Sequence, residues 1–255
     1  MIVLISPAKK QDFSAPEYYS NHRKHAFADI TTDLVMQLRK LDEQQLQKVL
    51  GVSASLAQLN YERFQNFQEN LTTAGQAALS AYQGDVYRYM DLPAWSEQTL
   101  QHADERLLII SGLYGAVRAS TKIAPYRLEM ANRLPFIEGS LQAYWSSKVT
   151  ALANEMATES QHSFLLNLAS NEYSSVIDRK QLVLPMIDVQ FLEAGPNGKL
   201  RTVAVNAKRA RGAFAAACLS IKQPTVDDLY DICVRDYQFD QELSTLKKLV
   251  FVKRT

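Results

Sequence analysis

Basic side chains are concentrated in one central segment, Ile110–Met130, whose sequence is ISGLYGAVRASTKIAPYRLEM. Arg118, Lys122 and Arg127 lie in it, and Glu129 is its only acidic residue. Arginine presents a planar fork of N–H donors that matches phosphate or carboxylate. The segment therefore predicts contact with an anionic ligand. A solvated basic surface and a structural Arg127–Glu129 ion pair are the alternatives.

A second basic cluster opens an alanine-rich helical stretch. Lys208, Arg209 and Arg211 lie at its start, and no acidic residue occurs between Arg201 and Lys222. Cations at the start of a helix oppose its macrodipole, at a cost of ~0.3–1 kcal/mol that an anionic ligand would reverse. The cluster predicts contact with phosphate, and a solubilising surface is the alternative.

A third feature is a pair of helical patterns separated by a short turn. The turn contains Gly51, Val52 and Ser53, and the segment is similar to a helix-hairpin-helix element with Ser53 in place of the second glycine. Backbone amides in such a turn can contact phosphate without reading base sequence. Any pair of packed antiparallel helices gives a similar pattern, so packing alone is the alternative.

Polar clusters follow three apolar runs of the sequence, at Ser6–Lys9, Ser111–Gly115 and Ala169–Tyr173. Ligands of open α/β sheets bind outside the carboxyl ends of strands, so these clusters would meet if their strands are parallel neighbours. Ordinary strand-to-helix turns also favour Ser, Gly and Asn. The candidate catalytic residues are Lys9, Tyr114, Glu129, Glu172 and Lys208. The lysines would serve as nucleophile or electrostatic clamp, the glutamates as acid–base groups and the tyrosine as an oriented donor.

Apolar runs and helical spacing indicate the elements that must position these residues. Continuous apolar runs at Ile2–Ile5, Leu107–Ser111 and Phe164–Leu168 predict buried strands. The turn-forming sequence Gly-Pro-Asn-Gly at Gly195–Gly198 predicts an antiparallel hairpin. Helical spacing covers most of the chain between these strands. We therefore expect an α/β fold, with a mixed sheet surrounded by helices, in a single domain over residues 1–255.

Composition limits the class of protein. The chain is 47% hydrophobic and 22% charged, which is typical of a globular protein. Its formal charge is only +1, so any nucleic-acid surface must be local. Two cysteines, no signal peptide and no apolar run long enough for a bilayer predict a cytoplasmic protein that does not enter membranes. The histidines have no metal-ligand spacing, so we predict no metal and no cofactor.

Six stretches taken together resemble the YaaA family of peroxide stress proteins. They are Leu4–Lys9 (LISPAK), Gly84–Tyr87 (GDVY), Ser111–Gly115 (SGLYG), Pro125–Met130 (PYRLEM), Asn167–Tyr173 (NLASNEY) and Ala207–Gly212 (AKRARG). The chain departs from the family pattern at two places, with Arg-Ala-Ser-Thr at 118–121 in place of Arg-Pro-Leu-Asp and with Ala131 in place of a glycine.

The resemblance implies a cytosolic protein that acts in peroxide stress and helps to restrain free intracellular iron. It also implies a single domain of unusual fold that contains a helix-hairpin-helix element and binds duplex or branched DNA in a basic cleft. The residues expected to contact DNA are Gly51, Val52, Ser53, Arg118, Lys122, Arg127, Lys208, Arg209 and Arg211. The alternative is an enzyme that acts on a nucleotide, a nucleobase or another small anionic ligand.

Overall fold

An eight-stranded mixed sheet forms the centre of the fold. The computed structural model describes residues 1–68, 75–195 and 197–254. The strands are β1 (Ile2–Ile5), β2 (Lys10–Gln11), β3 (Gln76–Ala77), β4 (Tyr82–Gln83), β5 (Leu107–Ser111), β6 (Gly115–Arg118), β7 (Lys122–Ile123), β8 (Leu165–Asn167), β9 (Met186–Ala194), β10 (Leu200–Arg201), β11 (Gln238–Phe239) and β12 (Lys248–Lys253).

Helices lie between these strands along the chain. They are α1 (Ala28–Leu38), α2 (Glu43–Leu50), α3 (Ala54–Gln65), α4 (Ala78–Ala81), α5 (Asp85–Arg88), α6 (Glu97–Arg106), α7 (Leu141–Glu159), α8 (Asn171–Ser174), α9 (Ala204–Ser220) and α10 (Val226–Tyr230), with a 3₁₀ turn at Leu92–Ala94. The predicted mixed α/β architecture, a mixed sheet with helices around it, is confirmed.

The strand order of the main sheet is β11-β12-β9-β8-β1-β5-β6, and β10 pairs with β9. The five inner strands, from β12 to β5, are mutually parallel. The strands β6, β10 and β11 are antiparallel to their partners. Every residue of β1 and β5 is buried, as expected for strands covered on both faces.

Several elements of the structure have the bounds, or nearly the bounds, that the sequence predicts. The strands β1 and β5 match the predicted runs residue for residue, and β8 is one residue shorter at each end than Phe164–Leu168. The predicted hairpin joins β9 to β10, although Pro196 in its turn lies outside the described residues. Hydrophobic continuity is therefore a good guide to the buried parallel strands of this chain.

Side-chain caps start the two helices of the hairpin-like segment. The Asp42 carboxylate accepts a hydrogen bond from the Gln45 amide and the Gln45 side chain accepts one from the Asp42 amide, which forms a capping box at the start of α2. The Ser53 hydroxyl accepts from the Leu56 amide and caps α3. The helices and their break lie where the sequence places them.

The basic central segment has a different structure from the one expected. After β5 the chain reverses through Gly112–Tyr114 and returns as β6, antiparallel to β5, with Ser111 opposite Gly115 and Leu108 opposite Arg118. The strand β6 therefore brings Arg118 back to the amino end of β5. The cations of Ile110–Met130 are divided between opposite edges of the sheet and do not form one continuous basic surface.

Candidate functional site

The polar clusters that follow three buried strands lie along one edge of the sheet. Strand β1 lies between β8 and β5 and is parallel to both, so the carboxyl ends of all three strands point the same way. The Ser170 amide donates to the Ser6 hydroxyl at 2.9 Å, which joins the ends of β8 and β1 directly. The strand order places the three strand ends at one edge, as predicted, but only the clusters after β1 and β8 line the cavity described next, and no residue of Ser111–Gly115 does.

A cavity of about 540 Å³ opens at this edge. Its walls come from the loop after β1, from the segment that leads into α5, from the start of α8 and from the first turns of α9. The Tyr87 hydroxyl lies in the wall and donates to the Ser6 carbonyl at 2.9 Å. Cavities of this size, at the carboxyl ends of parallel strands, are the usual place for ligands in α/β proteins.

The cavity is lined by more cations than acids. Lys9, Lys10, Lys208 and Arg211 contribute positive charge, whereas Asp85 and Glu172 contribute negative charge. Lys9, Lys10 and Lys208 are exposed, so they lie at the mouth of the cavity, whereas Arg211 is half-buried and lies deeper. An anion at the mouth would meet at least three lysines in water-accessible positions.

Arg211 is the least satisfied cation of the cavity. Its Nε atom is buried and has no hydrogen-bond partner among the described residues. Burial lowers the pKa of the Arg211 guanidinium, because removal from water disfavours the charged form. An anion in the cavity would offset both costs, since it would accept from the guanidinium and balance its charge.

Close packing of two helices fixes the position of the α9 cations. Gly212 lies against α5 so closely that a Cβ atom at this position would be 2.0 Å from the Val86 carbonyl oxygen. Only glycine allows this approach of the two backbones. The packing holds Lys208 and Arg211 beside Asp85 and Val86, and it explains the small residue that follows the basic cluster.

Arg209 points away from the cavity, toward α5. Its Nε atom lies 3.8 Å from an Asp85 carboxylate oxygen, and its guanidinium lies over the Tyr89 ring with 5.5 Å to the centroid. Arg235 lies over the same ring at 4.4 Å. Arg209 is thus part of a cation–aromatic cluster at the side of the cavity, and it is not among the residues that line it.

Glu129 binds two cations next to the cavity. One carboxylate oxygen lies 2.7 Å from Lys9 Nζ, and the other lies 2.8 Å from a terminal nitrogen of Arg127. Glu129 is 16% exposed in its side chain and Lys9 is 63% exposed. A small adjoining pocket is lined by Arg127, Glu129, Lys9 and Tyr173, and the last two also line the main cavity. Glu129 can therefore orient Lys9 at the mouth of the cavity.

Glu172, at the start of α8, also contributes to the packing of this edge. One of its carboxylate oxygens accepts from the Ala131 amide at 3.2 Å, while the residue lines the cavity. Of the five candidate catalytic residues, Lys9, Glu172 and Lys208 line the main cavity and Glu129 lines the adjoining pocket.

Tyr114 does not belong to this site, which corrects the prediction that it donates to a ligand. It is 1% exposed, and its hydroxyl accepts from the Ala124 amide at 3.0 Å and lies 3.4 Å from the Ala124 carbonyl. Burial raises the pKa of its phenol. Tyr114 stabilises the chain reversal, and Tyr87 is the tyrosine that lines the cavity.

Arg118 and Lys122 do not reach the cavity either. Arg118 is 8% exposed, and its guanidinium donates to the carbonyls of Asp104 and Glu105 at 3.0 and 2.9 Å, near the amino end of β5. The prediction that Arg118 contacts DNA is therefore wrong, because the group is buried and used inside the fold. Lys122 is half-buried in β7, opposite Ala77, and is not among the residues that line the cavity.

The turn between α2 and α3 is connected to the site through Asn132. The Asn132 amide donates to the carbonyls of Val49 and Leu50 at 3.1 and 3.3 Å, and its oxygen accepts from the Glu129 amide at 2.6 Å. The last turn of α2 is thereby tied to the loop that holds Glu129.

Two backbone amides of this turn are already used in hydrogen bonds within the fold and are not free to bind phosphate. The amides of Gly51 and Val52 both donate to the Gln47 carbonyl, at 3.0 and 3.3 Å, so they cap α2. This corrects the prediction that these two amides bind phosphate. Ser53 is exposed and precedes α3.

Sequence reasoning missed Asp85 and Tyr87 as residues of the site. Both lie in the GDVY stretch, which follows a short strand rather than one of the three apolar runs. A signal for them was the GDVY stretch itself, which is one of the six stretches that carry the family resemblance.

Within residues 1–68, 75–195 and 197–254, no group of three or more His, Cys, Asp or Glu residues is arranged to hold a metal ion. No helix in that part of the chain has both the length and the apolar character required to cross a bilayer.

The fold and the cavity define an α/β protein with a cavity at the carboxyl edge of parallel strands, lined by more cations than acids. A family model described as peroxide stress protein YaaA matches residues 1–243. A UPF0246 protein of Rickettsia bellii is 38% identical over 253 residues, with 99% of this chain and 100% of the relative covered. UPF0246 proteins of Francisella philomiragia and Legionella pneumophila are 33% and 34% identical, each with 99% of this chain and 99% or more of the relative covered. The chain belongs to the YaaA family of peroxide stress proteins.

Proposed function

We propose that this protein binds duplex or branched DNA during peroxide stress, with the cations at the mouth of the cavity in contact with phosphates. Membership of the YaaA family supports the role in peroxide stress. The observation that carries the DNA proposal is the group of three exposed lysines, Lys9, Lys10 and Lys208, around one opening of a nearly neutral protein. We also propose, from the family resemblance alone, that the protein is cytoplasmic and helps to restrain free iron.

Phosphate contacts of this kind would position DNA without reading its sequence. Lysine acts on phosphate as a flexible point charge, which suits backbone contact rather than base recognition. The amino end of α3, beside Ser53, would supply a second phosphate contact, because the positive end of a helix dipole attracts anions. Asn132 ties this helix pair to the Glu129 loop, which supports our proposal that both contacts serve one DNA molecule.

Salt dependence tests the proposal. Fluorescence anisotropy with a labelled duplex and a four-way junction should show log affinity that falls linearly with log salt, by about 0.9 for each phosphate neutralised. Lys208→Met should weaken binding and reduce this slope by about one. Lys180→Met, at an exposed lysine of the turn that leads to β9, is the matched control and should bind like the parent protein. A flat salt response in the parent protein would refute DNA binding by this surface.

One observation favours a second function, catalysis on a small anionic substrate. The Lys9 side chain is held 2.7 Å from Glu129, and Lys9 lines a cavity of ligand size. Lys9 would then be a nucleophile toward a carbonyl carbon. Borohydride reduction in the presence of DNA with an abasic site should trap an adduct on the peptide that contains Lys9. The absence of an adduct, with Lys9→Met and the parent protein giving the same result, would exclude this Schiff-base version.

A further inference from the structure

We infer that the cavity binds a single nucleotide unit, with its phosphate at Lys208 and Arg211 and its base and sugar against the tyrosine-lined wall. The inference rests on the proposed function, because it names the ligand class of the same site. The nucleotide can be a free deoxynucleoside monophosphate, or it can be one residue of DNA that has left the base stack.

Size separates the cavity from the DNA-binding surface around it. A volume of about 540 Å³ lies within the range of about 300–1,000 Å³ that is usual for small-molecule sites. Such a cavity holds one nucleotide and excludes a duplex, which can only lie across its mouth. Proteins that take one nucleotide out of a duplex seat it in a pocket of this kind.

Charge favours a monophosphate over other anions. Four cations and two carboxylates line the cavity, which leaves an excess of two positive charges. The phosphate monoester of a free nucleotide has a charge of about −1.5 to −2 at neutral pH and balances this excess, the single charge of a DNA phosphodiester balances half of it, and a di- or triphosphate exceeds it. The guanidinium of Arg211 lines the cavity, and its buried Nε has no partner among the described residues, so a phosphate beside this group would compensate its charge.

The apolar part of the wall has no role in binding phosphate alone. Pro7, Val86 and Leu168 line the cavity together with the rings of Tyr87 and Tyr173, which are 5% and 8% exposed. Every nucleobase has a flat π-face that packs against aromatic and apolar groups without regard to its identity. A phosphorylated ring compound therefore matches this wall better than inorganic phosphate does.

Asp85 supplies the complementary polar contact. A carboxylate in an anion site opposes binding unless the ligand also offers hydrogen-bond donors. The hydroxyl of a deoxyribose and the exocyclic amines of three of the four bases are such donors. Asp85 is half-buried in the cavity wall, with Arg209 at 3.8 Å, so its charge is partly balanced before a ligand enters.

Calorimetric titration of the full chain tests the inference. The probes are 2′-deoxyadenosine 5′-monophosphate, the same nucleoside without phosphate, and inorganic phosphate. We expect the nucleotide to bind at least tenfold more tightly than either fragment. Arg211→Met and Lys208→Met should each weaken nucleotide binding at least tenfold, and Lys180→Met should not. Lys208 is exposed, so its variant remains informative if Arg211→Met fails to fold. Equal affinity for inorganic phosphate and nucleotide would overturn the inference.

A parallel measurement identifies the source of the nucleotide. A duplex with one mismatched 2-aminopurine should brighten on binding if that base leaves the stack, and the free nucleotide should then quench the signal by competition. Nucleotide binding without such brightening would support the inference with the free nucleotide as ligand. If neither probe responds while duplex binding stays salt-dependent, the inference fails and the proposed DNA function stands. If the nucleotide binds and no duplex does, the DNA proposal fails and the inference stands.

Discussion

At the scale of single residues, Glu129 shows how one carboxylate can serve both structure and site. Each of its oxygens binds a different cation, Lys9 or Arg127, and its own amide donates to Asn132. A partly buried ion pair adds little net stability by itself, but loss of one partner leaves the other charge uncompensated. The arrangement therefore constrains Lys9 more than its 63% exposure suggests.

Tyr126 lies behind the site in a chain of buried hydroxyls. Its hydroxyl is 2.7 Å from both the Ser111 and the Tyr82 hydroxyls, and burial raises its pKa to about 12. Tyr126→Phe should lower the free energy of unfolding by about 1–3 kcal/mol, because two buried hydroxyls lose a partner. Urea denaturation measures this loss. Tyr61→Phe is the control, since the Tyr61 hydroxyl has no hydrogen bond within the described residues, and an equal loss there would contradict the explanation.

The burial of His162 makes the stability of the folded chain depend on pH. Burial, together with the neighbouring amino group of Met1, lowers the pKa of His162 to about 4 from its usual 6.5. The folded state therefore binds a proton less readily than the unfolded state. The contribution of neutral His162 to the free energy of unfolding is therefore complete above pH 6.5 and is lost as the pH falls toward 4.

Thermal melting at several pH values tests this prediction. Between pH 6.5 and 4 the parent protein should lose more stability than His162→Gln, which has no ring to protonate. Parallel curves for the two proteins over this window would show that His162 is not responsible.

At the scale of elements, the cavity depends on four segments that are far apart in the sequence. The loop after β1 supplies Lys9, α5 supplies Asp85, α8 supplies Glu172 and α9 supplies Lys208. The Gly212 contact fixes one of these segments against another. The site is therefore a property of how elements pack, and no single motif contains it.

The Asn132 side chain connects the end of α2 to the loop that holds Glu129, and a single substitution removes this connection. Asn132→Ala should reduce the free energy of unfolding by about 1–2 kcal/mol, because the Val49 and Leu50 carbonyls lose a donor. Duplex binding should also weaken, because the helix pair would no longer be tied to the Glu129 loop. Urea denaturation and anisotropy measure the two effects. Asn21→Ala, at an exposed loop position, is the control and should change neither.

The sequence predicted elements whose signal is local and missed those that depend on distant partners. Continuous apolar runs located β1, β5 and β8, and polar residues after them located the site edge. Strand β6 is not predicted, because Gly115–Arg118 is short and forms a strand only through its pairing with β5. Arg118 was then assigned to a ligand, since the sequence does not show that two carbonyls surround its guanidinium.

The candidate site was predicted in the same partial way. Lys9 and Lys208 were named because cations after a strand and at a helix start are conspicuous in any sequence. Tyr114 and Tyr87 are equivalent in the sequence, as each is a tyrosine in a glycine-containing turn. Only the packing of the folded chain places Tyr114 inside the core and Tyr87 in the cavity wall.

At the scale of the whole molecule, the last strand is an inner part of the sheet. Strand β12 lies between β9 and β11 and pairs with β9 over six residues. Its Phe251 ring packs against Phe214 with 4.8 Å between centroids. The family model ends at residue 243, before this strand, whereas the Rickettsia bellii relative aligns over 99% of the chain.

Truncation tests the importance of β12. A chain that stops at Lys247 loses four buried apolar side chains, each worth about 1.5–3 kcal/mol. The total of roughly 6–12 kcal/mol is comparable with the whole stability of a typical domain, so the truncated chain should be unfolded by circular dichroism. A chain that stops at Lys253 keeps all of β12 and loses only the ion pair between the exposed Arg254 and the buried Asp240, so it should fold with a smaller loss of stability. A folded, cooperative chain ending at Lys247 would contradict this view of β12.

The strand order also has a consequence for the protein during its synthesis. Strand β1 leaves the ribosome first but lies between β5 and β8, and β9 has no β12 beside it until the end of the chain has been made. At about 5–20 residues per second, the nascent chain spends several seconds with an open apolar strand edge. The α9 cations arrive after about four-fifths of the chain, so the lining of the cavity is complete only late in synthesis. Until then, this open edge can pair with strands of other chains.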